Sequence, residues 1–152
     1  MDGAITESVV ALCAKGAAIV VSALDPSGRP AITRGWGVEV SPGGRVTVCI
    51  AASSGSPVWD SDRTRRRIAM TMVDPTNYRS AQVKGTVDIV REMNEDDRCR
   101  VAAHVGRFSE LLDVVGIPGG ECFLLESLLA LEFTLSDGYD QTPGVNAGKA
   151  LR

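Results

Sequence analysis

From Ala17 onward the hydrophobic period of this chain is two, and turn-forming words cut the pattern into short lengths. Ala17–Leu24 reads AAIVVSAL and closes on Asp25-Pro26-Ser27-Gly28, a strong β-turn signal. Pro30–Val40 (PAITRGWGVEV) follows, and Ser41-Pro42-Gly43-Gly44 turns the chain into a third run, Arg45–Ala52. Ile68–Val73 (IAMTMV) is a fourth, ended by Asp74-Pro75-Thr76-Asn77. Tyr78–Val90 alternates most clearly. Its Ala81, Val83, Gly85, Val87 and Ile89 share one face, and Ser80, Gln82, Lys84, Thr86 and Asp88 share the other. A sixth run, Leu129–Ser136, puts Leu129, Leu131, Phe133 and Leu135 inward, and Glu121–Leu128 before it reads as either strand or loop. Strands joined by short turns pair antiparallel, and no regular β-α-β alternation is present. The pattern predicts a mainly β or α+β fold, an antiparallel barrel of about six strands with flanking helices.

Three helices are expected around it. Asp2–Lys15 repeats Ile5, Val9 and Leu12 and stops at Gly16. Val58–Arg66 would start from Ser56 as N-cap and Pro57 in the first turn. Glu95 to Val115 is the long one, capped by Asn94, with acidic residues in its first turn and a stripe of Val101, Val105, Phe108 and Leu112. Gly116-Ile117-Pro118-Gly119-Gly120 ends it. No repeat or linker divides the chain, so residues 1–152 read as one domain, with a polar tail over 137–152. At 152 residues, roughly 68–70% of the unfolded surface can be buried without disulfide or metal.

Charge and side-chain counts remove several functions. A net charge of −3 argues against a general nucleic-acid binder. No apolar run reaches the ~18 residues of a membrane span. The acidic start Met1-Asp2-Gly3 is unlike a secretory leader, and a soluble cytoplasmic protein is expected. Cys13, Cys49, Cys99 and Cys122 form no C-x-x-C pair and are expected to stay reduced and pack as small hydrophobes. His104 is the only histidine, which excludes a multi-histidine metal site, so no metal is expected. Its place in the long helix favours a packed or helix-surface role.

Several words in this order resemble the pyridoxamine 5′-phosphate oxidase-like proteins. They are Asp25-Pro26-Ser27-Gly28-Arg29-Pro30 before a strand, Arg67-Ile68-Ala69-Met70-Thr71-Met72, and Tyr78-Arg79-Ser80-Ala81-Gln82-Val83-Lys84-Gly85 before a long helix. The ending Asp140-Gln141-Thr142-Pro143-Gly144 with Ala147-Gly148 is similar to that of one uncharacterised branch. The likeness spans Ala17 to Leu151. It implies a split β-barrel, a homodimer holding FMN between subunits, and transfer of hydride or electrons to or from a small molecule.

FMN needs cationic or N–H donors for its phosphate and a smooth strand surface for its ring. In Arg34-Gly35-Trp36-Gly37, the bare backbone of the glycines could admit a ring, and Arg34 occupies the family's basic position near the phosphate. The same glycines could mark a bend, with Trp36 filling the core or a dimer seam. Ser53, Ser54 and Ser56 precede a helix and could cradle an anion, or simply turn and cap the chain. Ser80, Gln82 and Lys84 share the polar strand face where family members contact cofactor, and a solvated face would look alike. One departure stands out: Ser56-Pro57-Val58 occurs where FMN-binding members carry Ser-Arg-Lys. Arg63, Arg65, Arg66 and Arg67 come only later, at the helix end. No basic and aromatic set follows Leu129, so an authentic pyridoxamine phosphate oxidase is not expected. The competing reading is a binding protein on the same barrel without redox activity, either cofactor-free or taking F420 or haem. No catalytic residue is assigned, although Lys84, Tyr78 or His104 could move a proton.

Overall fold

The computed structural model describes residues 3–25, 27–51, 66–118 and 127–151. Six strands run β1 (Ala18–Leu24), β2 (Pro30–Ser41), β3 (Arg45–Ala51), β4 (Arg67–Val73), β5 (Ser80–Glu92) and β6 (Leu128–Asp140). They close into a barrel in the order β1-β2-β3-β6-β5-β4, every pair antiparallel. Each strand pairs with a neighbour on both sides, although the ends of the long strands β2 and β5 are paired on one side only. Ile19 and Val21 of β1, Val46 and Val48 of β3, Met70 and Met72 of β4, Val83 of β5 and Phe133 of β6 fill the interior.

Two helices complete the described fold. Helix α1 (Gly3–Ala14) lays Ile5, Val9, Leu12 and Cys13 into the barrel core, with Ile5 against Gly138 of β6. Gly16 ends it at φ +86°, and a Cβ there would meet the Arg107 side chain at 2.6 Å. Helix α2 (Glu95–Val114) lies outside the wall, where Val101 and Phe108 join Trp36, Cys49, Leu128 and Ala130 in a second, smaller core. Asn94 caps α2, as its sequence predicts, and the structure adds a capping box with Asp97. The helix expected over 58–66 and the ambiguous segment 121–128 fall largely outside the described residues.

Three sequence expectations shift in detail. The last strand runs on to Asp140, because β5 keeps supplying partners as far as Ala81. Ile89 is exposed rather than inward, since the register slips between Val87 and Ile89 and turns its side chain out. Cys99 is exposed on α2, while Cys13 and Cys49 pack as expected and Cys122 lies outside the described residues. Burial pushes the Cys13 thiol up to about 12 and the Cys49 thiol to about 11, so neither is a reactive thiolate.

Candidate functional site

Alternation along the strands sends every second side chain outward. The register aligns these into rows across the wall. Arg34 of β2 stands opposite Val20 of β1, Val20 opposite Thr71 of β4, Thr71 opposite Gln82 of β5, and Gln82 opposite Tyr139 of β6. One pleat along, Ile32, Ser22, Ala69, Lys84 and Asp137 form a parallel row. Ser80 pairs with Val73 on the far side of the first row. Four of the sequence-derived candidates, Arg34, Ser80, Gln82 and Lys84, therefore belong to one outer face, whereas Trp36 is buried beneath α2 in the second core.

Arg34 sits where the cover of α2 ends. Its guanidinium carbon lies 5.4 Å from the ring centroids of both Trp36 and Phe108. Among the described residues it forms no ion pair. Burial against the rings lowers its affinity for the proton, yet a guanidinium stays cationic at any working pH. The result is a fixed cation on an aromatic platform with its donors uncommitted. Phe108 was legible only as a stripe residue; its role under Arg34 depends on how α2 docks.

The opposite end of the row is more self-contained. Gln82 Nε2 donates to Thr71 Oγ1 at 3.1 Å, and the Lys84 ammonium lies 5.0 Å over the Tyr139 ring. Ser80 Oγ donates to the Tyr78 carbonyl, while its backbone N–H donates to Thr142 Oγ1. Arg34 and Gln82 are three interstrand steps apart, roughly 14 Å along the wall. One small group cannot touch both within one copy of the chain.

The glycines of β2 do something other than offer a bare ring platform. Gly35 faces inward, where a Cβ would meet Ile19 at 2.7 Å and Val48 at 3.0 Å, so its missing side chain serves barrel packing. Gly37 adopts φ +60° at a bulge between Trp36 and Glu39 and packs against the α2 backbone at Val101. Its N–H donates to His104 Nδ1 at 2.8 Å, and His104 Nε2 donates to the Ala17 carbonyl at 2.8 Å. Because the backbone N–H can only donate, the ring is the neutral Nε2–H tautomer. Burial, together with the charges of Arg107 and Arg34, holds its pKa below the ordinary value. His104 is thus a packed bridge, 1% exposed, and both its nitrogens are committed.

Ser53, Ser54 and Ser56 of the suggested anion cradle, and the Pro57-Val58 departure, lie outside the described residues. The last described residue of β3, Ala51, is tied to β2: its carbonyl accepts from Thr33 Oγ1 at 2.6 Å. Among the described residues no cluster of three or more metal-ligating side chains occurs. No described helix is long and apolar enough to cross a membrane.

No protein-family model and no curated relative matches the sequence. Solved structures do match in shape. HupZ of Group A Streptococcus superimposes with a TM-score of 0.55 at 14% identity, over 95% of this chain and 99% of its own. A Clostridium acetobutylicum protein related to general stress protein 26 of B. subtilis, of the pyridoxine-phosphate oxidase family, gives 0.54 at 13% identity over 94% and 92%. An F420 reductase gives 0.50 at 14% identity over 85% and 94%. The chain therefore has the split-barrel fold of pyridoxamine 5′-phosphate oxidase-like proteins, as its sequence words suggested.

Proposed function

We propose that the chain binds FMN on the outer barrel face between two copies and uses it to exchange hydride or electrons with a small molecule. The observation that carries this reading is Arg34, a cation with no carboxylate partner among the described residues, stacked on Trp36 and Phe108 at the edge of that face. A dianionic phosphate is the complement of such a fork. In a two-copy site one chain's Arg34 meets the phosphate, and the Ser80–Gln82–Lys84 edge of the other lies toward the ring. When bound, the flavin ring supplies the redox chemistry; the protein binds, orients and tunes it. Ser53, Ser54 and Ser56 remain part of the proposed phosphate site, on sequence grounds.

A second reading is favoured by Pro57-Val58, which removes two cationic contacts worth roughly 1.5–3 kcal/mol each. On that reading the barrel takes another ligand, F420 among them, or none. Haem by histidine ligation is disfavoured on this chain, because His104 is the only histidine and both its ring nitrogens are hydrogen-bonded.

The experiment is a visible spectrum of purified protein, before and after adding FMN and removing excess by gel filtration. Retained flavin bands are expected, with Arg34→Gln weakening affinity by about 10- to 100-fold. A colourless protein overturns the FMN reading, and F420 is then tried in the same way.

A further inference from the structure

A cleft of about 490 Å³ opens at the end of the barrel, bounded by α1, the β4–β5 turn and the C-terminal tail. That volume is within the range of small-molecule sites. Three independent pieces of local structure build its walls. The first is the C-terminal half of α1 with the turn residue that follows it, which bring Ser8, Ala11, Leu12 and Lys15 to the cleft.

The second is the turn from Asp74 to Arg79. Asp74 Oδ1 accepts from the Thr76 backbone N–H at 2.9 Å and from Thr76 Oγ1 at 2.6 Å. The backbone closes the turn through Asp74 N–H to the Arg79 carbonyl and Tyr78 N–H to the Asp74 carbonyl. Tyr78 is held there at φ +59°, an unfavourable conformation for an aromatic residue. Such backbone costs persist where surrounding structure enforces them, and they cluster at binding sites. What this turn fixes is the position of Arg79 on the cleft wall.

The third is the tail, which folds back as a tied loop. Asp140 N–H donates to the Lys149 carbonyl and Gly148 N–H to the Asp140 carbonyl, while Gln141 N–H donates to the Ser80 carbonyl of β5. The loop so closed sets Pro143, Val145 and Asn146 on the rim, and Val145 is 92% exposed. Compact loops with joined ends are frequently functional.

The charges of the cleft are unevenly committed. Both carboxylates are engaged by turn donors: Asp74 as above, and Asp140 Oδ1 by the Thr142 N–H at 2.8 Å. Lys15 and Arg79 are the cations of the lining; neither makes a close ion pair among the described residues, although Lys15 lies near enough to Asp74 for its charge to help hold that carboxyl below the usual range. Leu12, Pro143, Val145 and Leu151 supply apolar wall between them.

We infer that this cleft is a binding site for a small organic carboxylate with a short apolar body, its anionic end held by Lys15 and Arg79. Ser80 borders both this cleft and the proposed flavin edge, but the inference does not depend on the flavin reading, because its anion-holding groups are Lys15 and Arg79 and neither Arg34 nor the α2 platform takes part in it. The test is titration of ¹⁵N-labelled full-length chain with hexanoate, with hexanol and inorganic phosphate as probes of apolar body and charge alone. Expected are saturable hexanoate shifts confined to the amides of 8–15, 79–81, 142 and 144–146, with neither control saturating in the same range. The paired substitutions Lys15→Gln and Arg79→Gln, at exposed positions, should weaken hexanoate by about 10-fold or more while the remaining spectrum is unchanged. Shifts scattered over unrelated basic residues, phosphate binding as tightly as hexanoate, or an unaffected double variant would each overturn it.

Discussion

His104 and Gly37 show how one residue pair joins two layers of this protein. The bulge in β2 frees the Gly37 N–H from the ladder, and the imidazole of α2 accepts it while donating to Ala17 ahead of β1. Replacing His104 by Ala leaves both backbone groups unpaired and a cavity beside Trp36. A loss of about 2–4 kcal/mol is expected in urea unfolding. The pH dependence follows from the same contacts. The folded ring stays neutral below its ordinary value of 6.5, so the unfolded chain binds a proton the native state refuses. Stability should therefore fall as pH drops from 7 to 5, by up to about 1.4 kcal/mol per unit. With no other histidine in the chain, His104→Ala should abolish that slope. A slope that persists in the variant would remove His104 as its origin.

Helix α2 is positioned by charge as well as by its apolar stripe. Asp97 is fully buried, accepts from Arg91 at 2.6 Å and from the Asn94 N–H at 2.9 Å, and is also paired with Arg100. Burial alone would raise its pKa, but the hydrogen bonds from Arg91 and Asn94 outweigh it and hold the carboxyl below the usual carboxylate range. Arg91 also reaches Glu132 of β6 at 2.7 Å, which ties the helix start to two strands. Arg91→Met should destabilise by about 3 kcal/mol, because the buried Asp97 charge loses its strongest partner. Arg91→Lys should restore only part of this, since an ammonium cannot reproduce the two-sided fork. Equilibrium unfolding of the three proteins checks the order. Below the ordinary carboxylate value, Asp97 adds a second loss as pH falls through its lowered folded value.

At the scale of the molecule, the barrel leaves a broad outer face of mixed polarity uncovered by either described helix. Ile32 is 70% exposed on it, in the row with Ala69 and Lys84, and Val20 and Val73 lie in neighbouring positions. The proposed flavin site needs a second copy on this face. Sedimentation at low micromolar concentration should give a dimer, and Ile32→Asp should shift it toward monomer without lowering the unfolding midpoint of the barrel itself. A wild-type monomer would overturn both the dimer and the shared site.

Much of the strand pattern, the turns and the caps of the described helices was legible in the sequence, because each is decided within a few residues. The cap at Asn94, the stop at Gly16 and the alternation of Ala81 and Val83 are of this kind. Arg34, Ser80, Gln82 and Lys84 could be placed on outward faces by the same period. Their arrangement could not. Whether Gly35 meets a ligand or the core, how far Arg34 stands from Gln82, and that Phe108 underlies Arg34 all depend on register and closure between distant strands. Three register irregularities, one between β2 and β3 and two between β5 and β6, shift faces that a strict period of two would have kept. The cleft of Lys15 and Arg79 is the same case at larger range, since α1, the β4–β5 turn and the tail meet only when the barrel closes. The sequence by itself determined the elements and which face of each is apolar, because those rest on local conformational preference and side-chain alternation. Only the tertiary structure decided which side chains share a site, because that is set by pairing across the whole chain.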